Sequence, residues 1–529
     1  MKEVDTLELG SNDAEDYKRK DMKDFLNTVF VKNKYLERLL TMNTFFLLGE
    51  KGTGKTAYSV FLANNEYKNT RSQIKYIRET QYQKFVTLKR ERHLVLSDYA
   101  SIWRVIILVL VTSNIRLDNI SNKFSKNDKL MGIRAAIDDY FESAFSPEIA
   151  TALQLVENSK QTAELILKAL SAKEEHSSQL TFSETRFQTN LQFIERNLLD
   201  SIKNLKLELN EFLFIDGVDI RPDGIEYKEY LSCVKGLTEA VWTLNNDEFS
   251  KSNGSKGRFK VVVLLRPDIF QSVGLQNSTN KIINNSVFLD WRTDYPNHRT
   301  SELFALGDKL LIYEQPKAEL KKFKDGELWD HYVSWKGQST STNRDYDSPF
   351  IQFLRLSYSR PRDIVTIVQI LQLIQSQKFP HEPVFLEETF RSAEFKRAFS
   401  EYLMGSIKDQ LSFYYSEENY KMLLYFLSLF KGNAEFSYET YLTKYNEFVE
   451  YVLKRASELP EFIEEQDIFL QFLYESNLIC YFDHGQAEPL FRWCYRERKI
   501  SDMSPTVESN KRYRFHYGLL KSLNLGSYQ

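Results

Sequence analysis

The chain has 529 residues, 42% of them hydrophobic and 14% aromatic, enough apolar material for roughly two to four packed domains and incompatible with a wholly disordered protein. Glycine and proline are scarce at 19 and 12, which excludes collagen-like and linker-dominated designs and favours a largely helical chain. With 70 Lys+Arg against 73 Asp+Glu the formal net charge is −3, so any nucleic-acid contact has to come from a local basic patch.

Residues 1–30 read as a polar N-terminal arm, with Gly10-Ser11-Asn12-Asp13 as a turn ahead of a helix near Ala14. The first residues, Met1-Lys2-Glu3-Val4-Asp5, form no apolar signal region, so neither secretion nor organelle import is expected. Cys233, Cys480 and Cys494 have no metal-ligand spacing and make no even disulfide set, which fits a reducing compartment, and a cytoplasmic location is expected.

Thr44-Phe45-Phe46-Leu47-Leu48 is a short apolar run, and Ala57-Tyr58-Ser59-Val60-Phe61-Leu62-Ala63 has a helical pattern, giving the order strand, loop, helix. Between them Gly49-Glu50-Lys51-Gly52-Thr53-Gly54-Lys55-Thr56 matches G-x-x-x-x-G-K-[ST] in the flanking context that this motif requires. Its glycines let backbone N–H groups curl around phosphate oxygens, and the following helix N-terminus adds partial positive charge. Gly49, Gly52, Thr53 and Gly54 are therefore expected to cradle a nucleotide. Lys55 should reach its β/γ-phosphates, and the Thr56 hydroxyl should hold Mg²⁺. The alternative is a glycine-rich turn with an accidental lysine.

Residues 97–112 read as a helix apolar nearly all round. Its uninterrupted run, 105–111, is too short to cross a bilayer and follows Arg104 directly, so a buried helix and no membrane partner are expected. Helices with charged faces follow over 126–206. The 160 residues between Thr56 and Asp216 are several times one βαβ unit of about 30 residues, which implies a helical insertion at about 117–184.

Glu211-Phe212-Leu213-Phe214-Ile215 reads as a buried parallel strand ending at Asp216, where a carboxylate can serve as the second oxygen ligand of Mg²⁺. An ordinary strand-ending turn residue is the alternative. Position 217, where many ATPases carry a Glu, is Gly. Asp219 is the candidate base or water-orienting group, or else a helix cap ahead of Pro222. Tyr227, Tyr230, Leu231, Val234, Leu237 and Val241 have helical spacing. Ser252-Asn253-Gly254-Ser255-Lys256-Gly257 is the most loop-like stretch, and apolar runs at 259–265 and 287–289 complete the strand candidates. Arg266 follows the first of these at once, placing it beside the expected nucleotide crevice to neutralise γ-phosphate charge, unless it is simply a surface arginine before Pro267.

Strands alternating with helices imply a parallel α/β core over 31–295. A helical lid is expected over 296–383, where Arg360-Pro361-Arg362-Asp363 opens a helix with proline in its first turn. Arg360 or Arg362 could touch nucleotide, and pairing with a surface carboxylate is the alternative. Residues 384–529 read as a mostly helical C-terminal domain. The aromatic stripe of Tyr420, Leu423, Leu424, Phe426, Leu427 and Phe430 is expected to be mostly core. Short strands near 478–482 and 513–516 after three helices suggest a winged-helix-like fold. Arg492, Arg496, Arg498, Lys499, Lys511, Arg512, Arg514 and Lys521 near the end make DNA a candidate partner. The seven histidines are scattered and form no H-E-x-x-H, so zinc hydrolase chemistry is not expected.

The 49–56 motif, Phe212-Leu213-Phe214-Ile215-Asp216-Gly217-Val218-Asp219, Leu264-Leu265-Arg266-Pro267 and Arg360-Pro361-Arg362 together resemble the STAND/AAA+ branch of P-loop ATPases. Leu9-Gly10-Ser11-Asn12-Asp13-Ala14-Glu15, Asp219-Ile220-Arg221-Pro222 and Arg266-Pro267-Asp268-Ile269-Phe270 look more narrowly like a bacterial P-loop ATPase family often linked to antiphage defence. The resemblance implies an α/β P-loop NTPase core with a helical lid and a winged-helix-like module. It further implies a homo-oligomeric, ATP-driven switch acting on a protein effector, with ATP preferred over GTP. A DNA-binding initiator or loader-type ATPase is the second expectation. A protein that binds ATP only as an assembly cofactor is the third.

Overall fold

The computed structural model describes residues 1–92, 96–121, 128–140, 149–171, 186–203, 205–221, 224–251, 255–274, 284–335, 348–456, 458–483, 490–499, 502 and 504–525. Pro222, the turn residues 252–254, residues 122–127, 141–148 and 172–184 of the expected insertion, 336–347 of the expected lid, and 487–489, 500, 501, 503 and 526–529 of the basic tail lie outside the described residues. The chain divides into two compact units. One comprises Lys34–Lys51 with Lys55–Leu289, and the other Met1–Asn33, Gly52–Gly54 and Asp290–Gln529.

The first unit is built on five parallel strands, β1 (Phe46–Leu48), β2 (Thr70–Tyr76), β3 (Asn210–Asp216), β4 (Phe259–Leu265) and β5 (Ser286–Phe288), in the order β2-β3-β4-β1-β5. Tyr76 is in register with Asp216, Ile215 with Val263, and Leu48 with both Leu265 and Phe288. The carboxyl ends of all five strands thus lie along one edge of the sheet, and Gly49, Ile77, Gly217, Arg266 and Leu289 leave from it. Every residue of β1 and β4 is buried, as expected where a strand has neighbours on both sides and helices on both faces. The sequence reading lacks β2. Thr-Arg-Ser-Gln-Ile-Lys-Tyr holds only two strongly apolar residues, and its place at the sheet edge requires no more.

Helices flank this sheet. Lys55–Asn64 follows β1, and the segment between β2 and β3 is helical over Glu79–Arg92, Leu96–Asn114, Asp128–Tyr140, Ile149–Glu157, Ser159–Ser171 and Phe187–Ile202. The apolar run at 105–111 is buried within Leu96–Asn114, and Arg104 pairs with Glu195 at 2.5 Å. That helix packs on Tyr227–Thr243. Trp103 Nε1 donates to Cys233 O at 3.1 Å, and a Cβ on Gly236 would stand 2.5 Å from Tyr99 Cβ, so the crossing admits no side chain there.

The second unit does not treat residues 1–30 as an arm. Val4, Leu7, Leu9 and Tyr17 are buried. Gln372, on the helix Pro361–Lys378, donates to Val4 O at 2.8 Å and Leu7 O at 2.6 Å, and Gln369 donates to Gly10 O at 2.8 Å. Phe25, Leu26, Val29 and Phe30 are buried as well, so eight apolar side chains among many charged ones hold residues 1–30 to the rest of their unit.

Further along, the helices Glu417–Ser428, Tyr438–Leu453 and Gln466–Glu475 accompany an antiparallel sheet of β6 (Glu435–Ser437), β7 (Ile479–Phe482), β8 (Arg492–Trp493) and β9 (Arg512–Phe515), ordered β6-β9-β7-β8. Leu423, Phe426, Leu427 and Phe430 of the expected stripe are core, with Phe426 and Phe469 ring centroids 4.7 Å apart, whereas Leu424 faces solvent. Cys233, Cys480 and Cys494 are buried, and none is in a disulfide. Among the described residues no helix is long and apolar enough to cross a membrane.

Candidate functional site

The 49–56 loop joins β1 to the helix Lys55–Asn64, and Gly49 N donates to Leu265 O at 3.2 Å as the chain leaves the sheet. Gly52 and Gly54 have φ of 88° and 90°, a left-handed conformation that favours glycine. Lys55 is buried. Its Nζ donates to Gly49 O at 2.9 Å and Glu50 O at 3.3 Å, and lies 3.9 Å from Asp219 Oδ2. The ammonium thus folds back over the loop's own carbonyls with a carboxylate nearby.

Thr56 Oγ1 donates to Asp216 Oδ2 at 2.7 Å. The other oxygen of Asp216 accepts from Gly217 N, also at 2.7 Å. Burial raises the Asp216 carboxyl to a pKa of about 6, and the charge of Asp219 adds to the shift. The bonds from Thr56 and Gly217 and the charge of Lys55 oppose it. Gly217 has φ 85°, and a Cβ there would lie 2.3 Å from Ile77 O, so the backbone beside Asp216 has no room for the Glu that many ATPases carry.

Asp219 is a quarter exposed, and it is not a helix cap, because the next helix opens at Tyr227 behind Glu226. Arg266 stands at the N-cap of Pro267–Ser272 and pairs with Asp268, Nε to Oδ1 at 3.2 Å and Nη2 to Oδ2 at 2.5 Å. Behind Asp219 lie two buried tyrosines, Tyr82 and Tyr230, with ring centroids 5.3 Å apart. Burial holds both phenols well above their usual range, and the charge of Asp219 reinforces this.

The two arginines of the expected lid, Arg360 and Arg362, differ in kind. Arg360 forms a fork with Asp363, Nε to Oδ2 at 3.0 Å and Nη2 to Oδ1 at 2.8 Å. Asp363 is fully buried and also accepts from Tyr402 OH and Tyr358 N, both at 2.9 Å, so the partner is an interior carboxylate and not a surface one. Arg362 instead meets the tip of the loop: its N donates to Gly52 O at 3.2 Å, and a Cβ on Gly52 would be 3.3 Å from Arg362 Cβ.

Sequence reasoning missed Trp291, whose buried indole Nε1 donates to Thr53 O at 2.9 Å. The available signal was its position, two residues past the last apolar run. Several basic residues of the tail are engaged within its own fold. Arg514 pairs with Glu435 at 3.0 Å, Lys511 with Asp483 and with Glu508, and Arg492 with Glu497 at 3.7 Å, while Arg498 Nη2 donates to Glu475 O at 2.9 Å. Elsewhere exposed Glu3 and His381 and half-buried Asp5 form a cluster in which the two acids raise the imidazole pKa. No family model and no curated protein sequence matches the chain.

Proposed function

We propose that the chain is a P-loop ATPase of the STAND/AAA+ type, which binds ATP with Mg²⁺, hydrolyses it to ADP and phosphate, and works as a nucleotide-driven switch. The observation that carries this reading is the 2.7 Å bond between the Thr56 hydroxyl and the Asp216 carboxylate, side chains 160 residues apart that the parallel sheet brings to one point. A small divalent cation that takes oxygen ligands and keeps several waters fits such a pair, and a buried carboxylate with a raised pKa is one that a cation would relieve. Bound there, Mg²⁺ would supply neutralising charge to phosphate oxygens.

The remaining roles belong to the chain itself. Main-chain N–H groups of the 49–56 loop bind phosphate, and Lys55 exchanges the carbonyls of Gly49 and Glu50 for phosphate oxygens. Asp219 orients or deprotonates the attacking water. Arg266 answers the charge of the γ-phosphate, and Arg360, locked to Asp363, positions Arg362 at the Gly52 carbonyl.

Residues 296–383 act as the lid and 384–529 as a winged-helix-like module. In helix-turn-helix folds the N-terminal residues of the last helix meet the bases of DNA. Here that region is exposed and carries Glu464, Glu465 and Asp467, which weighs against a duplex and for a protein effector as partner. The homo-oligomeric state, the antiphage setting and the cytoplasmic location rest on the sequence resemblance and composition.

Equilibrium dialysis with labelled ATP and Mg²⁺ tests the reading. The native chain should bind, and Lys55→Ala and Asp216→Ala should each weaken binding by about tenfold or more, about 1.4 kcal/mol. Equal binding by both variants, or none by the native chain, would overturn it. Phosphate release, with Asp219→Ala as the comparison, separates turnover from a role for ATP in assembly alone.

A further inference from the structure

Directly after β5, Asp290-Trp291-Arg292 touches two distant parts of its own unit. Trp291 Nε1 donates to Thr53 O at 2.9 Å. Arg292 Nη1 donates to Arg496 O at 2.7 Å and also to Arg498 O, at the carboxyl end of the short helix Cys494–Glu497. Asp290 fixes the guanidinium that does this: Oδ1 accepts from Arg292 Nε at 2.7 Å and from Arg292 N at 3.0 Å, and Oδ2 accepts from Nη2. The connection continues, because Arg498 Nη2 donates to Glu475 O, the last carbonyl of Gln466–Glu475.

At the loop end, the geometry of the peptide unit makes these bonds informative. In a planar trans peptide the C=O of one residue and the N–H of the next point in opposite directions. Trp291 holds Thr53 O, and so turns Gly54 N–H away from itself. Arg362 N holds Gly52 O at 3.2 Å and does the same for Thr53 N–H. Two consecutive loop amides are thereby aimed from behind by the Trp291 indole and the Arg362 main chain.

We infer that Trp291 is a positioning residue for the phosphate-binding amides, and that Arg292 carries the nucleotide state of the loop to the C-terminal module. This rests on the nucleotide reading above and specifies how that site is regulated. A phosphate drawing on Thr53 and Gly54 N–H tilts the peptide planes whose carbonyls Trp291 and Arg362 hold. Trp291 and Arg292 are adjacent, so displacement of one shifts the fork that caps Cys494–Glu497.

Amide hydrogen exchange on the full-length protein, with and without ATP and Mg²⁺, reads the coupling. In the native chain, nucleotide should change exchange several-fold over 466–477 and 490–499. In Arg292→Ala that response should be lost while ATP affinity stays within about threefold. Trp291→Phe keeps the ring but removes the donor, and should weaken ATP binding by about fivefold without lowering the melting temperature by more than a few degrees. If Arg292→Ala fails to fold, Arg292→Lys, which keeps the charge but not the fork, takes its place with the same expectation. The inference falls if the response persists in the Arg292 variant, if native exchange there ignores bound nucleotide, or if Trp291→Phe binds ATP as the native chain does. A native chain that binds no ATP overturns the nucleotide reading and this inference with it.

Discussion

On the proposed reading, the carboxyl group buried at the end of β3 sets a proton against Mg²⁺. Burial pushes the Asp216 carboxyl up to about 6, so the proposed Mg²⁺-dependent ATP binding should weaken as pH falls through that value. Calorimetric titrations from pH 5 to 8 would measure this, and Asp216→Asn should remove both the slope and most of the binding. The same shift affects stability in the absence of ligand. A carboxyl pKa raised on folding favours the native state below the unfolded pKa, and that benefit is lost as pH rises through the folded value. Glu211, at the opposite end of β3, is likewise raised by burial, to about 7. Denaturant midpoints should therefore fall between pH 4 and 7, and Glu211→Gln should recover on the order of 2 kcal/mol at pH 8. Gly217→Glu should not create a better catalyst. Its Cβ meets Ile77 O at 2.3 Å, so a loss of about 1–3 kcal/mol in chemical denaturation is expected instead. The convergence of Thr56 with Asp216 could be foreseen, since a motif of fixed spacing and a strand-ending acid each announce themselves. Trp291 could not, because its partner is a main-chain carbonyl 238 positions away, which leaves no trace in residue type.

Among the elements, the crossing of Leu96–Asn114 with Tyr227–Thr243 is the tightest point to probe. Gly236→Ala adds helix propensity worth up to about 1 kcal/mol, but the new methyl would overlap Tyr99 Cβ at 2.5 Å. A net loss of about 1–3 kcal/mol should appear as a lowered denaturant midpoint with an unchanged slope. Long apolar runs made β3 and β4 readable, and the length of the 105–111 run with its flanking Arg104 made the buried helix readable. Edge strands were harder. β2 owes its place to pairing with β3 along its full length and not to its own side chains, while β6 and β8 are too short for any period to show. The N-terminal segment failed for a related reason: its first buried apolar residues, Val4, Leu7, Leu9 and Tyr17, are spaced irregularly, and two glutamines on a distant helix bind its carbonyls.

For the molecule as a whole, a net charge of −3 offers no general attraction for polyanions, and Arg492, Lys511 and Arg514 of the basic tail pair with carboxylates of their own fold. Fluorescence anisotropy with duplex DNA at low salt should show weak binding at most, changing little when Arg496, Arg498 and Arg512 are reversed in sign. A tight complex with a steep salt slope abolished by those reversals would restore the DNA reading. Charge runs in the sequence suggested that partner because a list of residues does not show that Glu435 pairs with Arg514, or Asp483 and Glu508 with Lys511. The assignment of Gly52–Gly54 to the unit formed mainly by Asp290–Gln529 has a practical corollary for anyone dissecting the chain. No single scission releases either half intact: a fragment ending at Leu289 keeps the glycines but loses the indole and the amide that orient them, and the complementary fragment keeps those donors with nothing to grip. Domain-swap chimeras joined at that boundary should therefore be judged by whether both pieces are co-expressed, since separately purified halves would part the loop from the donors that hold its carbonyls.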